Sequence, residues 1–518
     1  MDSPLAAQDC FRGAGFPVAV VLAVGPPVLF RTSPRLALSL MSPSSSSTHD
    51  SATRGESAAP QRASKDQLRA EVLIIGGGPA GAAAAYHAAR VGWDTLVVDM
   101  ADHATQPRDK TCGDGLTPRA VGALEAMGAG HLLDGHPRIK GLKLHGFGGS
   151  ITAPWPEHEK FPARGSAIPR SDFDAALLRH AIDAGARFQG GMKAVGVSED
   201  GRRVTCQAVG SRAGKAAGTN REVQTTEIRT EFLVLAEGVR STIARQLGVQ
   251  WERGIVHGIA ARSYVETPHA DEPWIHSHLE LRDHEGTAQP GYGWIFPLGT
   301  PTTGGQAGNG ADANPTPQVN LGCGALTTTQ RPAKVNTKKL LTHYADQVRD
   351  EWQLGTPQRI TSALLPMGGA VTRVAGRNWA VIGDSAALVN PLNGEGIDYG
   401  LESARFLVEL LDDARRNPDG LRYAWPTRLR QEYGDAFALA RRLGMLLTMP
   451  GLLAAIGPVG MRGPLAHTVM NSAARLMGNL VTPQDRDLTA KLWLGAGKLS
   501  RGVDKLLAAD SRPLFGRH

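Results

Sequence analysis

The run Glu71-Val-Leu-Ile-Ile75, followed at once by Gly76-Gly77-Gly78-Pro79-Ala80-Gly81 and an alanine-rich stretch through Arg90, constrains this chain more than any other feature. It is a short apolar strand that turns through Gly-x-Gly-x-x-Gly into a helix, with Pro79 and Ala80 at the helix start. Gly76 permits the tight turn, Gly78 lets backbone approach a pyrophosphate at the positive helix end, and Gly81 allows the helix to pack closely on the strand. A second strand, Thr95-Leu-Val-Val98, ends at Asp99, where a carboxylate binds the hydroxyls of an adenosine ribose. The unit predicts a bound dinucleotide without saying which one.

With 518 residues, 42% of them hydrophobic, the chain has material for two or three domains around sizeable cores. The formal charge of +7 is scattered rather than gathered into a stripe with stacking aromatics, which argues against nucleic acid but suits peripheral contact with an anionic membrane. Four cysteines, Cys10, Cys112, Cys206 and Cys323, form no CxxC pair, and no histidine cluster has metal-ligand spacing. No metal is therefore expected, and a reducing, cytoplasmic setting at the inner face of the cell membrane fits. Cys206 and Cys323 read as small buried hydrophobes.

Residues 1–69 read as a separate leader or a misplaced start. The apolar run Phe16 to Phe30 is broken by Gly25-Pro26-Pro27, Met41 offers an alternative start, and residues 41–68 are polar and expected to be disordered. Further on, Phe173, Leu177, Leu178 and Ile182 repeat with helical spacing, and Arg203 to Leu235 supplies strands. Residues 254–366 read as strand-like, with a Gly/Asn/Pro/Thr-rich insertion at 300–318 expected as a surface loop. Another strand falls in Arg377 to Gly383, and helices follow Gly394. Leu443 to Met461 carries no charge between Arg441-Arg442 and Arg462, but Pro450, Gly451, Gly457, Pro458 and Gly460 interrupt it. Two short apolar helices are expected there, either plain core, dipping into a membrane interface or gating a lipid tunnel.

Two later segments narrow the dinucleotide. Phe232-Leu-Val-Leu-Ala236-Glu237-Gly238-Val239-Arg240-Ser241 resembles the second signature of class A flavin monooxygenases and their relatives, which usually carry Asp where this chain has Glu237. Trp379 to Ala387, containing Gly383-Asp384, and Pro391-Leu-Asn-Gly394-Glu395-Gly396-Ile397 resemble their third. The resemblance implies FAD, with Asp384 at the ribityl chain and the turn Gly394, Gly396, Ile397 offering N–H groups to the flavin's pyrimidine edge.

Arg108-Asp-Lys-Thr-Cys112-Gly113-Asp-Gly-Leu116 and Tyr292-Gly-Trp294-Ile-Phe296-Pro297 together resemble the geranylgeranyl reductase family, flavoenzymes that hydrogenate isoprenoid double bonds. Cys112 to Arg119 is most similar to its menaquinone reductase branch, which saturates one isoprene unit of the quinone tail. The resemblance places Arg108, Cys112, Gly113, Arg170 and Val195 with the cofactor, and Tyr292, Trp294, Phe296 and Pro297 with a prenylated lipid or quinone. On a strand, Tyr292, Trp294 and Phe296 share one face, which suits a prenyl chain but also ordinary sheet core. Alkene reduction needs a hydride and a proton, and Cys112, Tyr292 or a water could supply the proton. No second GxGxxG follows a strand, so the electron donor, a nicotinamide cofactor or a redox protein, is left open.

The implied fold is α/β (α+β): a Rossmann-like FAD-binding domain of the class A monooxygenase type from 70–145, 169–253 and 367–420, an inserted β-sheet substrate domain from 146–168 and 254–366, and a helical C-terminal cap over 421–518. One alternative is a monooxygenase or halogenase, since Trp294-Ile-Phe-Pro297 resembles a halogenase WxWxIP motif, although no counterpart of the halogenase lysine is apparent. The other is a flavin-bearing isoprenoid carrier without turnover.

Overall fold

Val72 to Ile75 is fully apolar, so it needs cover on both faces, and in the computed structural model it lies inside a largely parallel sheet. The structure describes residues 68–516 except 104–107, 210–224, 301–315, 507–513 and positions 253, 330, 334, 418, 450 and 465. Cys10, almost all of the leader at 1–69 and most of the insertion at 300–318 lie outside the described residues.

In chain order the elements are β1 (Leu68–Ile75), α1 (Pro79–Arg90), β2 (Thr95–Val98), β3 (Gly115–Leu116), α2 (Pro118–Ala126), β4 (Arg138–Ile139), β5 (Gly141–Gly146), β6 (Gly149–Pro154), β7 (Gly165–Ala167), α3 (Arg170–Asp183), β8 (Arg187–Gln189) and β9 (Met192–Val197). There follow β10 (Arg203–Ala208), β11 (Thr225–Leu235), α4 (Thr242–Gln246), β12 (His257–Glu266), β13 (Trp274–His278), β14 (Gly291–Pro297), β15 (Gln318–Thr327), α5 (Thr337–Trp352), β16 (Gln358–Leu365) and β17 (Trp379–Val381). The chain closes with α6 (Ile397–Val408), α7 (Leu411–Arg416), α8 (Gly420–Leu447), α9 (Leu452–Arg462), α10 (Ala466–Met477) and α11 (Leu488–Leu506).

The first sheet runs β8-β2-β1-β11-β10-β9, with β17 also paired to β11. Strands β8, β2, β1, β11 and β17 are parallel, in register Val72 with Phe232 and Leu235 with Val381. Their carboxyl ends are therefore level: Gly76 N–H donates to the Val98 carbonyl at 2.8 Å, Ala236 N–H to Ile75 at 2.8 Å, and Ile382 N–H to Leu235 at 3.1 Å. The crevice beyond such ends is where doubly wound sheets take ligands. Helix α1 buries Ala82 to Ala85 and Ala88 completely, and these small side chains let it pack between the sheet, α3 and α6.

The second sheet runs β16-β12-β15-β14-β13-β5-β6 and is antiparallel except where β13 meets β5. It begins at Gly141, ahead of the 146 boundary expected from sequence, because β5 pairs with β13 from its first residue. The strand-like reading of 254–366 also missed α5. Asn336 caps that helix by accepting from Lys338 and Lys339 N–H at 3.1 Å. Its Leu340, Leu341, Tyr344, Val348 and Trp352 then cover one face of the sheet. The fully buried Cys323 lies in that core and the fully buried Cys206 in the first. Met461, Ala466 and Ala474 of α9 and α10 cover the other face.

The uncharged stretch Leu443 to Met461 is not two short helices. Its first leg is the last turn of the long helix α8, which ends at Leu447, and Gly451, at φ +78°, opens the separate helix α9.

Candidate active site

Each glycine of the first turn is required for a different reason. Gly76 has φ +108°, and a Cβ there would lie 2.3 Å from the Ala236 carbonyl oxygen; a Cβ on Gly81 would lie 1.8 Å from the Gly76 oxygen. Gly78 is different: its backbone is extended, and a Cβ would meet nothing closer than Arg108 Nη2 at 3.8 Å, Asp174 Oδ2 at 3.9 Å and Arg170 Nη2 at 4.0 Å. Gly78 thus borders open space at the N-terminus of α1, with two guanidinium groups facing it. Asp174 holds Arg170 by two 2.7 Å hydrogen bonds, both residues being buried, and Arg108 Nε is buried without a partner among the described residues. Paired guanidiniums at a helix N-terminus suit a pyrophosphate.

Asp99, at the end of β2, accepts from Gly77 N–H at 2.6 Å and Ala101 N–H at 2.7 Å. Burial pushes its carboxyl up, but His103, Arg108 and these N–H groups outweigh it and hold it below the usual range. It therefore orders the glycine turn as well as standing where a ribose would be bound. Glu237, after β11, is spent on structure: its carboxylate caps α4, accepting from Thr242 N–H at 2.9 Å and from Ile243 and Ala244 N–H at 3.1 Å. The extra methylene relative to Asp gives it reach to that helix end.

Asp384, following β17, pairs with Lys110 Nζ at 2.9 Å. Burial pushes its carboxyl up and the Lys110 charge pulls it back below the ordinary value. A Cβ on Gly396 would lie 3.3 Å from Asp384 Oδ1, and one on Gly383 would meet Ala80 at 2.9 Å, so the first and third motifs meet.

The loop Cys112 to Gly115 lies between these motifs and the second sheet. Cys112 is half-buried; its surroundings push the thiol pKa up, partly countered by the Arg170 charge. Asp114 adopts φ +64°, a strained conformation for a residue with a side chain. Asn320 on β15 ties this loop together, donating to the Cys112 carbonyl and to Asp114 Oδ2, each at 2.8 Å, and accepting from Trp294 Nε1 at 3.0 Å. Tyr292, Trp294 and Phe296 do share one face of β14, with ring centroids 5.9 and 6.1 Å apart. The Phe296 ring covers Gly113 and Gly115, whose added Cβ atoms would lie 2.4 and 2.9 Å from it. Pro297 is buried at the end of the strand.

The turn 390–397 completes the site. Tyr292 donates its hydroxyl to the Asn393 carbonyl at 2.5 Å, and Asn393 Nδ2 is anchored on the Met477 carbonyl at 2.6 Å. Gly394 has φ +76°, and Glu395 Oε1 accepts from Ile397 N–H at 2.9 Å. That donor, assigned from sequence to the cofactor, is engaged by the chain itself.

The structure thus links Gly76, Gly78, Ala80, Gly81, Arg108, Arg170, Asp384, Gly396, Cys112, Gly113 and the β14 aromatics through successive contacts. Val195 stays outside that set: it lies on the edge strand β9, and its carbonyl accepts from Gln246 Nε2 at 3.0 Å. Sequence reasoning did not find Asp174, Asn320 or the Lys110–Asp384 pair, because partners this distant in the chain leave no local pattern.

A sequence model of the FAD binding domain family matches residues 69–417. The menaquinone reductase of Mycobacterium tuberculosis (strain CDC 1551 / Oshkosh) is 48% identical over 438 residues, which cover 84% of this chain and 97% of that protein. Digeranylgeranylglycerophospholipid reductase 1 of Methanopyrus kandleri is 25% identical over 383 residues, 73% of this chain and 90% of that one. The chain belongs to the FAD-dependent geranylgeranyl reductase family. Among solved structures, a geranylgeranyl bacteriochlorophyll reductase-like protein from Thermoplasma acidophilum superposes on this flavoprotein with TM-score 0.59 at 17% identity, covering 86% of this chain and 99% of that one. The flavin-dependent brominase Bmp2 does so with TM-score 0.59 at 17% identity, covering 86% and 100%. Both likenesses establish the shared fold. The flavoprotein is an oxidoreductase whose cofactor is FAD, and the residues present fit it: the open Gly78 face, the buried Arg170 and Arg108 Nε, without a partner among the described residues, match a pyrophosphate.

Proposed function

We propose that this flavoprotein hydrogenates a C=C bond in the isoprenoid chain of a lipid, one isoprene unit of the menaquinone side chain. The observation that carries this reading is the row Tyr292, Trp294 and Phe296, an aromatic wall standing against the Cys112 to Gly115 loop. Aromatic faces of this kind suit a prenyl chain, which has no polar group to pair. Trp294 and Phe296 line the chain in this reading, and Tyr292 closes one end of it.

Bound FAD supplies the hydride. Around it, Gly76, Gly78, Pro79, Ala80, Gly81, Arg108 and Arg170 would hold the pyrophosphate, Asp99 the adenosine ribose, and Asp384 the ribityl chain. Gly396 would take the pyrimidine edge, since the Gly394 and Ile397 N–H groups are spent on Asn390 and Glu395, while Cys112 and Gly113 would border the ring. Trp294, Phe296 and the loop exclude water from the double bond.

The lipid's source supports a peripheral membrane position at the inner face of the cell membrane. Ile456 and Val459 on α9 and Val469 on α10 are exposed, beside the exposed Arg462, on helices that pack over the face of the second sheet reached by Phe296. Such a surface suits an anionic bilayer. No helix among the described residues is long and apolar enough to cross one.

The test is anaerobic. The yellow protein is reduced with dithionite, which replaces the natural reductant, and a menaquinone is added. A product two mass units heavier, formed as the flavin reoxidises, is expected. Reoxidation by oxygen alone, with the lipid unchanged, overturns the reading and leaves the FAD assignment standing.

A further inference from the structure

We propose that Glu395 is the acid that delivers the proton to the double bond, a role that rests on the alkene reduction proposed above. Glu395 stands in the turn that joins three parts of the site. Tyr292 bonds to Asn393, two residues before it, and Gly396, immediately after it, lies against Asp384. The Glu395 charge reaches both Cys112 and Tyr292, two other proton-bearing groups of the site. Its two oxygens differ. Oε1 accepts from Ile397 N–H at 2.9 Å and Asp398 N–H at 3.4 Å, whereas Oε2 takes no hydrogen bond among the described residues. One oxygen is fixed on the helix and the other is left to carry a proton.

Chemistry favours it over its neighbours. An isolated alkene is a very weak base, so the donor must be the strongest acid that still holds its proton. A carboxyl begins about four to six pK units below a thiol or a phenol. Burial pushes the Cys112 thiol and the Tyr292 phenol further up, making both weaker, and the Tyr292 hydrogen is already donated to a carbonyl. Burial, reinforced by the Asp398 charge, also pushes the Glu395 carboxyl up, which keeps it in the proton-bearing form. Asp398 does not compete: it is fully buried, and it accepts from Thr117 Oγ1 at 2.9 Å, Asn479 Nδ2 at 2.6 Å and Tyr399 N–H at 2.6 Å.

In the step, the alkene receives a hydride at one carbon from the reduced cofactor, which is oxidised by two electrons, and a proton at the other from Glu395 Oε2. The bond that held the hydride on the reduced cofactor, the O–H bond and the carbon–carbon π bond break, and two C–H bonds form. The carboxylate left behind faces the N-terminus of α6 and the Arg170 charge, which stabilise it until water reprotonates it.

The experiment compares full-length, FAD-loaded wild type with Glu395→Gln and Glu395→Asp. Flavin content and visible spectrum report on folding and cofactor binding. Infrared spectroscopy reads the protonated carboxyl directly, and anaerobic single turnover with menaquinone reads alkene reduction. Glu395→Gln is expected to keep its flavin, lose a protonated-carboxyl band present in wild type, and lose about 10²–10⁴-fold in reduction rate. Glu395→Asp, which keeps an acid, is expected to recover part of that rate.

An unchanged infrared spectrum in Glu395→Gln overturns the assignment whatever the substrate is. So does a Glu395→Gln rate within roughly threefold of a wild type that does reduce the lipid, and that outcome leaves the proposed function intact. A wild type that leaves the lipid unreduced overturns the proposed function, and the role of Glu395 falls with it.

Discussion

Tyr292 gives its phenolic hydrogen to the carbonyl of Asn393 at 2.5 Å, pinning the second sheet to the turn that precedes α6. A hydrogen committed in this way fastens two parts of the site and is poorly placed for transfer. Tyr292→Phe is therefore expected to cost about 1 kcal/mol of stability, the net value of one hydrogen bond. Alkene reduction should stay within about tenfold of wild type, against the 10²–10⁴-fold loss that removal of an essential acid produces. Single-turnover rates separate these outcomes, and a loss in the larger range returns the tyrosine to the chemistry.

Gly78 and Gly81 look alike in the motif but differ in what excludes a side chain. A methyl at Gly81 would fall 1.8 Å from the Gly76 oxygen, within the protein's own backbone. Gly81→Ala should lose at least about 3 kcal/mol of stability, with or without cofactor. A methyl at Gly78 has 3.8 Å of room and an ordinary extended backbone. Gly78→Ala apoprotein should therefore unfold within about 1 kcal/mol of wild type. Its FAD affinity should fall at least about tenfold, because the methyl occupies the approach of the pyrophosphate. Denaturant unfolding of both apoproteins and flavin titration decide it; an equally destabilised Gly78→Ala would show that the protein alone requires that glycine.

The contrast between those glycines also marks how far the sequence could be read. Strand, turn and helix around Gly76 to Gly81 were legible because each signal is local, and so was the one-sided face of Tyr292, Trp294 and Phe296, which follows from the period of a strand. Helix α5 was overlooked although Leu340, Leu341, Tyr344 and Val348 have helical spacing, since the flanking strands β15 and β16 set the expectation for the whole stretch. Glu237 is the opposite case. It occupies a recognised motif position, yet its carboxylate is consumed by α4, a contact made only in the folded chain. Asn320 had no signal at all: its three partners, Cys112, Asp114 and Trp294, come from two other segments.

The exposed side chains of α9 and α10 carry the membrane reading to a direct test. Val459 is 72% exposed, so Val459→Glu should change folding stability by no more than about 0.5 kcal/mol. If this surface rests on lipid, the charge must be dragged to the interface. Binding to phosphatidylglycerol vesicles, measured by flotation, should then drop at least about tenfold, while reduction of detergent-dispersed substrate is unchanged. Flotation equal to wild type would remove α9 from the contact.

Asp114 makes the stability of the site depend on pH. Its carboxyl is fully buried, and that burial pushes its pKa up to about 6, although the Arg262 charge and the Asn320 hydrogen bond pull it down. In the unfolded chain the same group titrates near about 3.9. Between those values the folded state holds more protons than the unfolded state, so stability falls as pH rises. The contribution is complete below about pH 4 and is lost as pH climbs through about 6, for a difference on the order of 2–3 kcal/mol. Asp114→Asn has nothing to titrate at this position. The stability of wild type minus that of Asp114→Asn, taken from urea unfolding of the apoproteins, should decline by that amount from about pH 4 to pH 6.5 and then level off. A difference that is flat with pH would mean that Asp114 keeps an ordinary carboxylate despite its burial. A difference that grows with pH would mean that Arg262 controls the site more strongly than burial does.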